Sequence, residues 1–420
     1  MIEINTEFEA GRAAVDYDHH LHDFDSSVDI HRELRGRCPV AWSSKYGGYW
    51  VVTGYDELAT AARDDQTFSS AHIADSPQQG VMIPSTAKQA SVPIELDPPE
   101  FLVYRHLLNP YFSPAAAAKW TQLVEDVTTA CLDEAIESGH IDFVLDLANP
   151  VTTIFTLKFL GMPSHEWERW GRPFHDVASC IPGTPEHATA IAGLLYVNQQ
   201  LMELVVAMRA QPGEGMVSDL ANATLDGELL PLERVDGAAF KILPGGVDTT
   251  TALTANALHW LADHPHERAR LAENPALIKT ATEEFLRYFT PVQALARTAT
   301  CPVVLGGQHV AAGDRVLLSW AAANRDETVF SEPDQLLLDR LPNRHTSFGL
   351  GAHRCIGSNF ARDSFATMLR GVLTRIPDYV IEEAAVRNTT IGAVNGWVNL
   401  PAHFSPGPRT GNFSLAELTT

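Results

Sequence analysis

From about residue 114 onward the apolar residues recur mainly at helical spacing, and short apolar runs of strand type appear in only two regions. Residues 356–376 show the helical pattern best: Phe365, Met368, Leu369, Val372 and Leu373 fall at i, i+3, i+4, i+7 and i+8. A longer pattern covers residues 232–264, although Pro244, Gly245 and Gly246 stand in its middle. A third opens on Asn274 as N-cap with Pro275 at the first helical position, and should stop before Pro291. The strand-like runs are 48–53, which follows 39–42, and 303–310, which reads as a hairpin around Gly306 and Gly307 before a further run at 315–319. Long helices with small peripheral sheets are therefore expected, a mainly α chain of the α+β class. No linker, repeat or low-complexity tract divides it, so residues 1–420 read as a single domain.

Composition narrows the setting. Fifty-two acidic residues against 30 basic ones give a formal charge of -22, which repels nucleic acid phosphates and anionic lipid. The N-terminal segment is acidic and lacks the basic and apolar regions of a signal peptide. The best candidate for a membrane anchor, residues 238–262, is interrupted by Lys241, Pro244 and Asp248, so no anchor is expected. Five scattered cysteines at 38, 131, 180, 301 and 355 suggest a reducing, cytoplasmic setting without structural disulfides. His19, His20 and His22 lie among aspartates but without repeated zinc-ligand spacing, and read as a solvated segment. His259, His264 and His266 read as a helix-to-helix turn at Pro265.

The chemistry concentrates in residues 348–357, where Cys355 stands between a glycine-rich turn and the start of a helix. Unpaired N–H groups at a helix N-terminus favour a thiolate, the form that binds metal. Gly349, Gly351 and Gly357 let the backbone fold tightly and approach a flat ligand. The spacing Phe348, Gly351, Cys355, Gly357 resembles the haem-binding signature of the cytochrome P450 family, matching each of its fixed positions.

Other segments carry the same resemblance in the expected order. Gly245, Gly246, Asp248 and Thr249 match the family's pattern on the helix that crosses the haem. A proline and two glycines cost several kcal/mol in ordinary helix packing, about 3 for the proline and roughly 1 for each glycine. A sequence that keeps them uses the distortion; a kinked core helix, or two helices split at Pro244, would read the same way. Glu284 and Arg287, three residues apart, match the family's structural ion pair and are assigned no chemistry. Haem propionates need charge-assisted donors. By the resemblance these are Arg297, His353 and Arg105, while Phe101 replaces the family's usual histidine, leaving one contact missing or supplied elsewhere.

The resemblance implies the cytochrome P450 fold and haem b (iron protoporphyrin IX), with Cys355 as the metal ligand and Phe348, Gly349, Gly357 and Gly246 around the cofactor. It further implies a monooxygenase in which Asp248 and Thr249 manage protons during O2 activation. Electrons would come from a separate ferredoxin and ferredoxin reductase, docking near Cys355 where Arg354 and Arg362 offer positive charge. Two other readings stay open: a peroxide-driven peroxygenase, against which Asp248 and Thr249 count, and a non-catalytic haem-thiolate sensor or carrier. By family analogy the substrate lies beside residues 73–93, read as a long mobile loop, residues 174–195, Val247, Val292, Leu295, and the segment 394–398 with Val394 and Trp397. These residues are chiefly apolar, with no arginine or lysine among them standing out to hold a carboxylate. A small to medium hydrophobic substrate, such as a terpenoid, steroid fragment or aromatic, is expected in preference to a free fatty acid.

Overall fold

The computed structural model describes the chain apart from residues 1–7, 10–11, 22, 86–89 and 393. His22 and part of the 73–93 loop thus lie outside the described residues. The helices that position the site are α1 (Glu100–Leu108), α2 (Asn149–Leu160), α3 (Trp167–Ala178), α4 (Pro185–Ala210), α5 (Leu232–Asp263), α6 (Ile278–Phe289) and α7 (Ser358–Arg375). The strands used below are β1 (Val40–Ser43), β2 (Tyr49–Val52), β3 (Ala294–Ala299), β4 (Val303–Leu305), β5 (Gln308–Val310), β6 (Arg315–Ser319) and β7 (Trp397–Asn399).

α5 is the axis of the molecule. It packs against α2, α3, α4, α6 and α7, and its Val235, Leu243, Val247, Leu253, Leu258 and Leu261 enter the main core. The helix runs unbroken through Pro244, so the chain does not split there as the sequence allowed. Thr249, Thr251 and Thr254 each donate a hydroxyl to the carbonyl four residues earlier, at 3.0, 2.8 and 2.8 Å. Such back-bonding slightly destabilises a helix and tends to bend it.

Beside this helical body lies a seven-stranded sheet in which β6 joins β2 in parallel and β3 in antiparallel register, Val316 facing Trp50 on one side and Arg297 on the other. The hairpin of β4 and β5 turns at Gly306 and Gly307, as its sequence predicts. β3 escaped the sequence reading, because Ala294–Ala299 lacks the β-branched and aromatic run that marks a strand.

Several expectations are corrected. α6 begins at Ile278, after a short 3-10 turn over Pro275–Leu277, so Asn274 caps that turn instead of the helix. The 73–93 loop is pinned where it is described: Ala296 N–H donates to Val81 O at 2.7 Å, and Arg315 donates to Met82 O at 2.9 Å. His19 and His20 are buried, each within 2.9 Å of the Ile83 carbonyl, not solvated. Two stretches, Phe143–Leu160 and Pro185–Ala210, have the length and mean hydropathy of a membrane span. The first is core; the second leaves Leu195 67% and Tyr196 52% exposed. A search for uninterrupted apolar runs misses both because polar residues punctuate them. All five cysteines are free.

Candidate functional site around Cys355 and the long helix

The Cys355 loop is tied to itself before α7 starts. Cys355 N–H donates to Phe348 O at 2.7 Å and Gly349 N–H to Thr346 O at 2.7 Å. Gly351 adopts a left-handed φ of 71°, and a Cβ there would lie 2.4 Å from the Ala62 carbonyl oxygen, so no other residue fits. Phe348 is clamped beneath the Arg362 guanidinium, 4.5 Å from its ring centre. The N-cap of α7 is Gly357, two residues after the cysteine. Cys355 is enclosed by the fold, yet the residue keeps accessible surface. Burial pushes its thiol up, and the Gly357 N–H with Arg105, Arg354 and Arg362 pulls the other way without reversing it. Loading with a cation would favour the thiolate over the thiol.

Two elements bring positive charge to this loop. Arg105 on α1 donates to Arg354 O at 2.8 Å, and Arg297 on β3 donates to Ala296 O at 2.8 Å. Neither has a carboxylate partner among the described residues. Burial lowers both, Arg297 to about 10, and Asp97 and Cys355 offset this only in part. His353 sits with them. Burial, then Arg297 and Arg105, push its imidazole down to about 3. Both its ring nitrogens are buried without a hydrogen-bond partner. Phe101, in place of a histidine, packs on it with ring centres 4.1 Å apart and the planes tilted by 39°. Orphaned buried nitrogens beside two unpaired guanidinium groups are costly for a polypeptide alone. They suit a buried dianion, which is what the two propionates of haem provide.

On α5 the structure separates residues that the sequence grouped. A Cβ on Gly246 would lie 2.6 Å from Thr156 Oγ1 of α2, so this glycine serves close helix packing. At Gly245 a Cβ would meet nothing within 4 Å. Gly245 is therefore the open position. Val247 is fully buried, on the side of α5 away from Gly245. Trp397 is likewise withdrawn: its indole N–H donates to Asn256 at 3.0 Å, and its ring lies between His259 and Arg387. Val292, Leu295 and Val394 remain partly accessible.

Asp248 has a partner that no local motif announces. Its Oδ1 lies 3.5 Å from Nδ1 of His175 on α3, with both side chains buried. At that length the two attract as charges without a formed hydrogen bond. His175 Nε2 donates to the Val398 carbonyl on β7 at 3.0 Å, so both ring nitrogens face acceptors. Burial lowers the imidazole, but Asp248 and the carbonyl outweigh it and the net shift is upward. His175 thus holds α3, α5 and β7 together around one buried charge pair.

Glu284 and Arg287 are buried completely and meet through paired 2.8 Å bonds. Arg340, 3.0 Å from both carboxylate oxygens, makes the pair a triad. Arg362, expected to be free for a partner, instead grips Glu283 at 2.6 and 2.8 Å, which with His345 holds that carboxyl down to about 2.

Comparison with known proteins agrees with this geometry. The family model described as Cytochrome P450 matches residues 194–376. The chain is 30% identical to Cytochrome P450 109 of Bacillus spizizenii, over 79% of this chain and 80% of the relative. It is 32% identical to Nocardicin C N-oxygenase of Nocardia uniformis, over 78% and 82%. Among solved structures, a Bacillus megaterium protein in complex with testosterone superposes with a TM-score of 0.81 at 26% identity, covering 90% of this chain and 97% of that one.

Proposed function

Because the chain belongs to the cytochrome P450 family and is a haem-dependent monooxygenase, we propose that it inserts one oxygen atom from O2 into a hydrophobic small molecule, by hydroxylation or epoxidation. In this reading the cofactor is haem b and Cys355 is its thiolate ligand. The electrons come from a ferredoxin and ferredoxin reductase, in the cytoplasm. The observation that carries the reading is the pair of guanidinium groups without carboxylate partners, Arg105 and Arg297, with the neutral and unpartnered His353 beside them, next to an accessible cysteine.

When bound, haem supplies the activation of O2 that the side chains alone cannot perform. The polypeptide supplies the rest. Arg105 and Arg297 bind the propionates, and His353 completes their set by donating from an otherwise orphaned ring nitrogen. Gly349 and Gly357 hold the thiol loop in its turn. Gly245 leaves the middle of α5 open, and the Thr249 hydroxyl, which donates to Gly245 O at 3.0 Å, stands at its edge. Rotation of that hydroxyl lets it hold a proton toward the oxygen site. Asp248, the next residue along α5 and 3.5 Å from His175, relays protons to it. Val292, Leu295 and Val394 contribute apolar surface against the substrate.

The test is spectroscopic. The purified protein should bind one haem and show, when reduced under carbon monoxide, the long-wavelength Soret band of thiolate ligation. A panel of hydrophobic ligands should shift the ferric spin state. Reductant consumption with O2 and a ferredoxin pair, but not with peroxide alone, should yield oxygenated product. Turnover with peroxide only would replace the monooxygenase reading with a peroxygenase.

A further inference from the structure

Lys241 is the unexplained charge on α5. It lies seven residues before Asp248 and eight before Thr249, so Lys241, Gly245 and Thr249 fall at i, i+4 and i+8 on one helical face. The neighbours of that face identify what it looks onto. Gly237, one turn earlier, faces Val92 and the Ala90 carbonyl of the 73–93 loop; Asp248 faces His175; Ala252 faces Gly396 beside β7. Lys241 stands between these contacts, deep in the molecule, yet keeps partial accessibility. Depth combined with accessibility marks the wall of an internal space.

No carboxylate is within ion-pair distance of Lys241 among the described residues, and no hydrogen bond is formed by its ammonium group there. The nearest acidic influence is Glu95, whose two oxygens already accept from Val81 N–H at 3.0 Å and Ser91 N–H at 2.9 Å. Burial pushes the lysine below its ordinary value, and Glu95 only moderates this. A chain that kept this position apolar would avoid that cost.

We infer that Lys241 is a specificity-determining residue, and that the substrate is an apolar molecule bearing one carboxylate which this ammonium binds. The inference rests on the monooxygenase reading and reverses the sequence expectation, which ranked a free fatty acid below a substrate without a carboxylate. A single ammonium matches a monoanion and would leave a phosphate under-compensated. Pro244 and Gly245, which carry no side-chain donors, take the apolar body. Eight residues of helix separate the anion site from Thr249 by roughly 12 Å. The oxidised carbon therefore lies several bonds from the carboxylate, not beside it.

The holoenzyme is titrated with dodecanoic acid and 6-phenylhexanoic acid, each against its methyl ester, following the ferric spin shift and, independently, calorimetric heat. The wild type should bind the acids more tightly than the esters. Lys241→Met should lose about ten- to a hundredfold in affinity for the acids while esters hold; Lys241→Arg should keep most of the preference. Equal affinity for acid and ester, binding of esters only, binding of neither, or an unaltered acid preference in Lys241→Met overturns the inference. The carbon monoxide band is recorded for each variant. Its absence from the wild type counts against the haem-thiolate reading itself, whereas an intact band without acid preference counts against Lys241 alone.

Discussion

Replacing Glu284 with glutamine removes one negative charge from a site where nothing else can take its place. The carboxylate is fully buried and accepts from Arg287 twice, from Arg340, from Leu337 N–H at 2.9 Å and from Asn343 at 3.0 Å. Glutamine preserves the shape but turns one acceptor into an N–H₂ group aimed at two guanidinium groups. Arg287 and Arg340 would then share a buried site without a counter-charge, a loss of about 3–5 kcal/mol. Unfolding a chain of 420 residues changes entropy by roughly 0.9 kcal/mol per kelvin at about 2.1 cal/mol/K per residue, so the melting point should fall by roughly 3–6 °C. Asp176→Asn is the control: its ion pair with Arg172 leaves the two side chains 57% and 43% exposed, and such i,i+4 pairs are worth about 0.3–0.5 kcal/mol. It should move the melt by less than about 1 °C. The assay is thermal loss of the haem Soret band at matched haem loading. A Glu284→Gln melt indistinguishable from Asp176→Asn would refute the claim that this triad is a buried charge network.

Cys355→Ala should abolish the long-wavelength carbon monoxide band, and a persisting band would mean that another group ligates iron. Thr249→Ala should leave haem content and ligand affinity nearly unchanged while electrons leak to hydrogen peroxide; Asp248→Asn should slow turnover with a smaller leak. Product, peroxide and reductant measured together decide this, and unchanged coupling in Thr249→Ala would remove the threonine from oxygen management. His175 has a raised folded-state pKa, so its stabilising contribution is complete below about pH 6.5 and fades as pH rises through the raised value. Melts of wild type and His175→Asn between pH 5.5 and 9 should therefore converge toward high pH, and parallel curves would show that the pair with Asp248 carries no linked proton.

The parts of the site that a motif can spell locally were legible in the sequence: the Cys355 loop, the long helix with Asp248 and Thr249, and the Glu284 to Arg287 spacing. What escaped was set by contacts between distant segments. His175 is 73 residues from Asp248, and Arg340 is 56 from Glu284. Nothing in their own neighbourhoods distinguishes them from surface charges. Gly245 and Gly246 share one motif, and only the approach of Thr156 tells the two apart. Lys241 looked like an interruption of an apolar helix until its face was known. The fold followed the same division, since long periodic helices announce themselves and a strand such as β3, stabilised by its neighbours in the sheet, does not.

In the proposed reading, the guanidinium groups of Arg105 and Arg297, with the neutral His353 beside them, tie the abundance of this protein to the supply of its cofactor. A nascent chain must bury these groups before any dianion arrives, so the apoprotein populates open states more readily than the loaded form. Proteases in the cell sample those open states. In a host starved of haem, the polypeptide should be degraded instead of accumulating as an inactive reserve, and restoring haem synthesis should raise protein level along with activity.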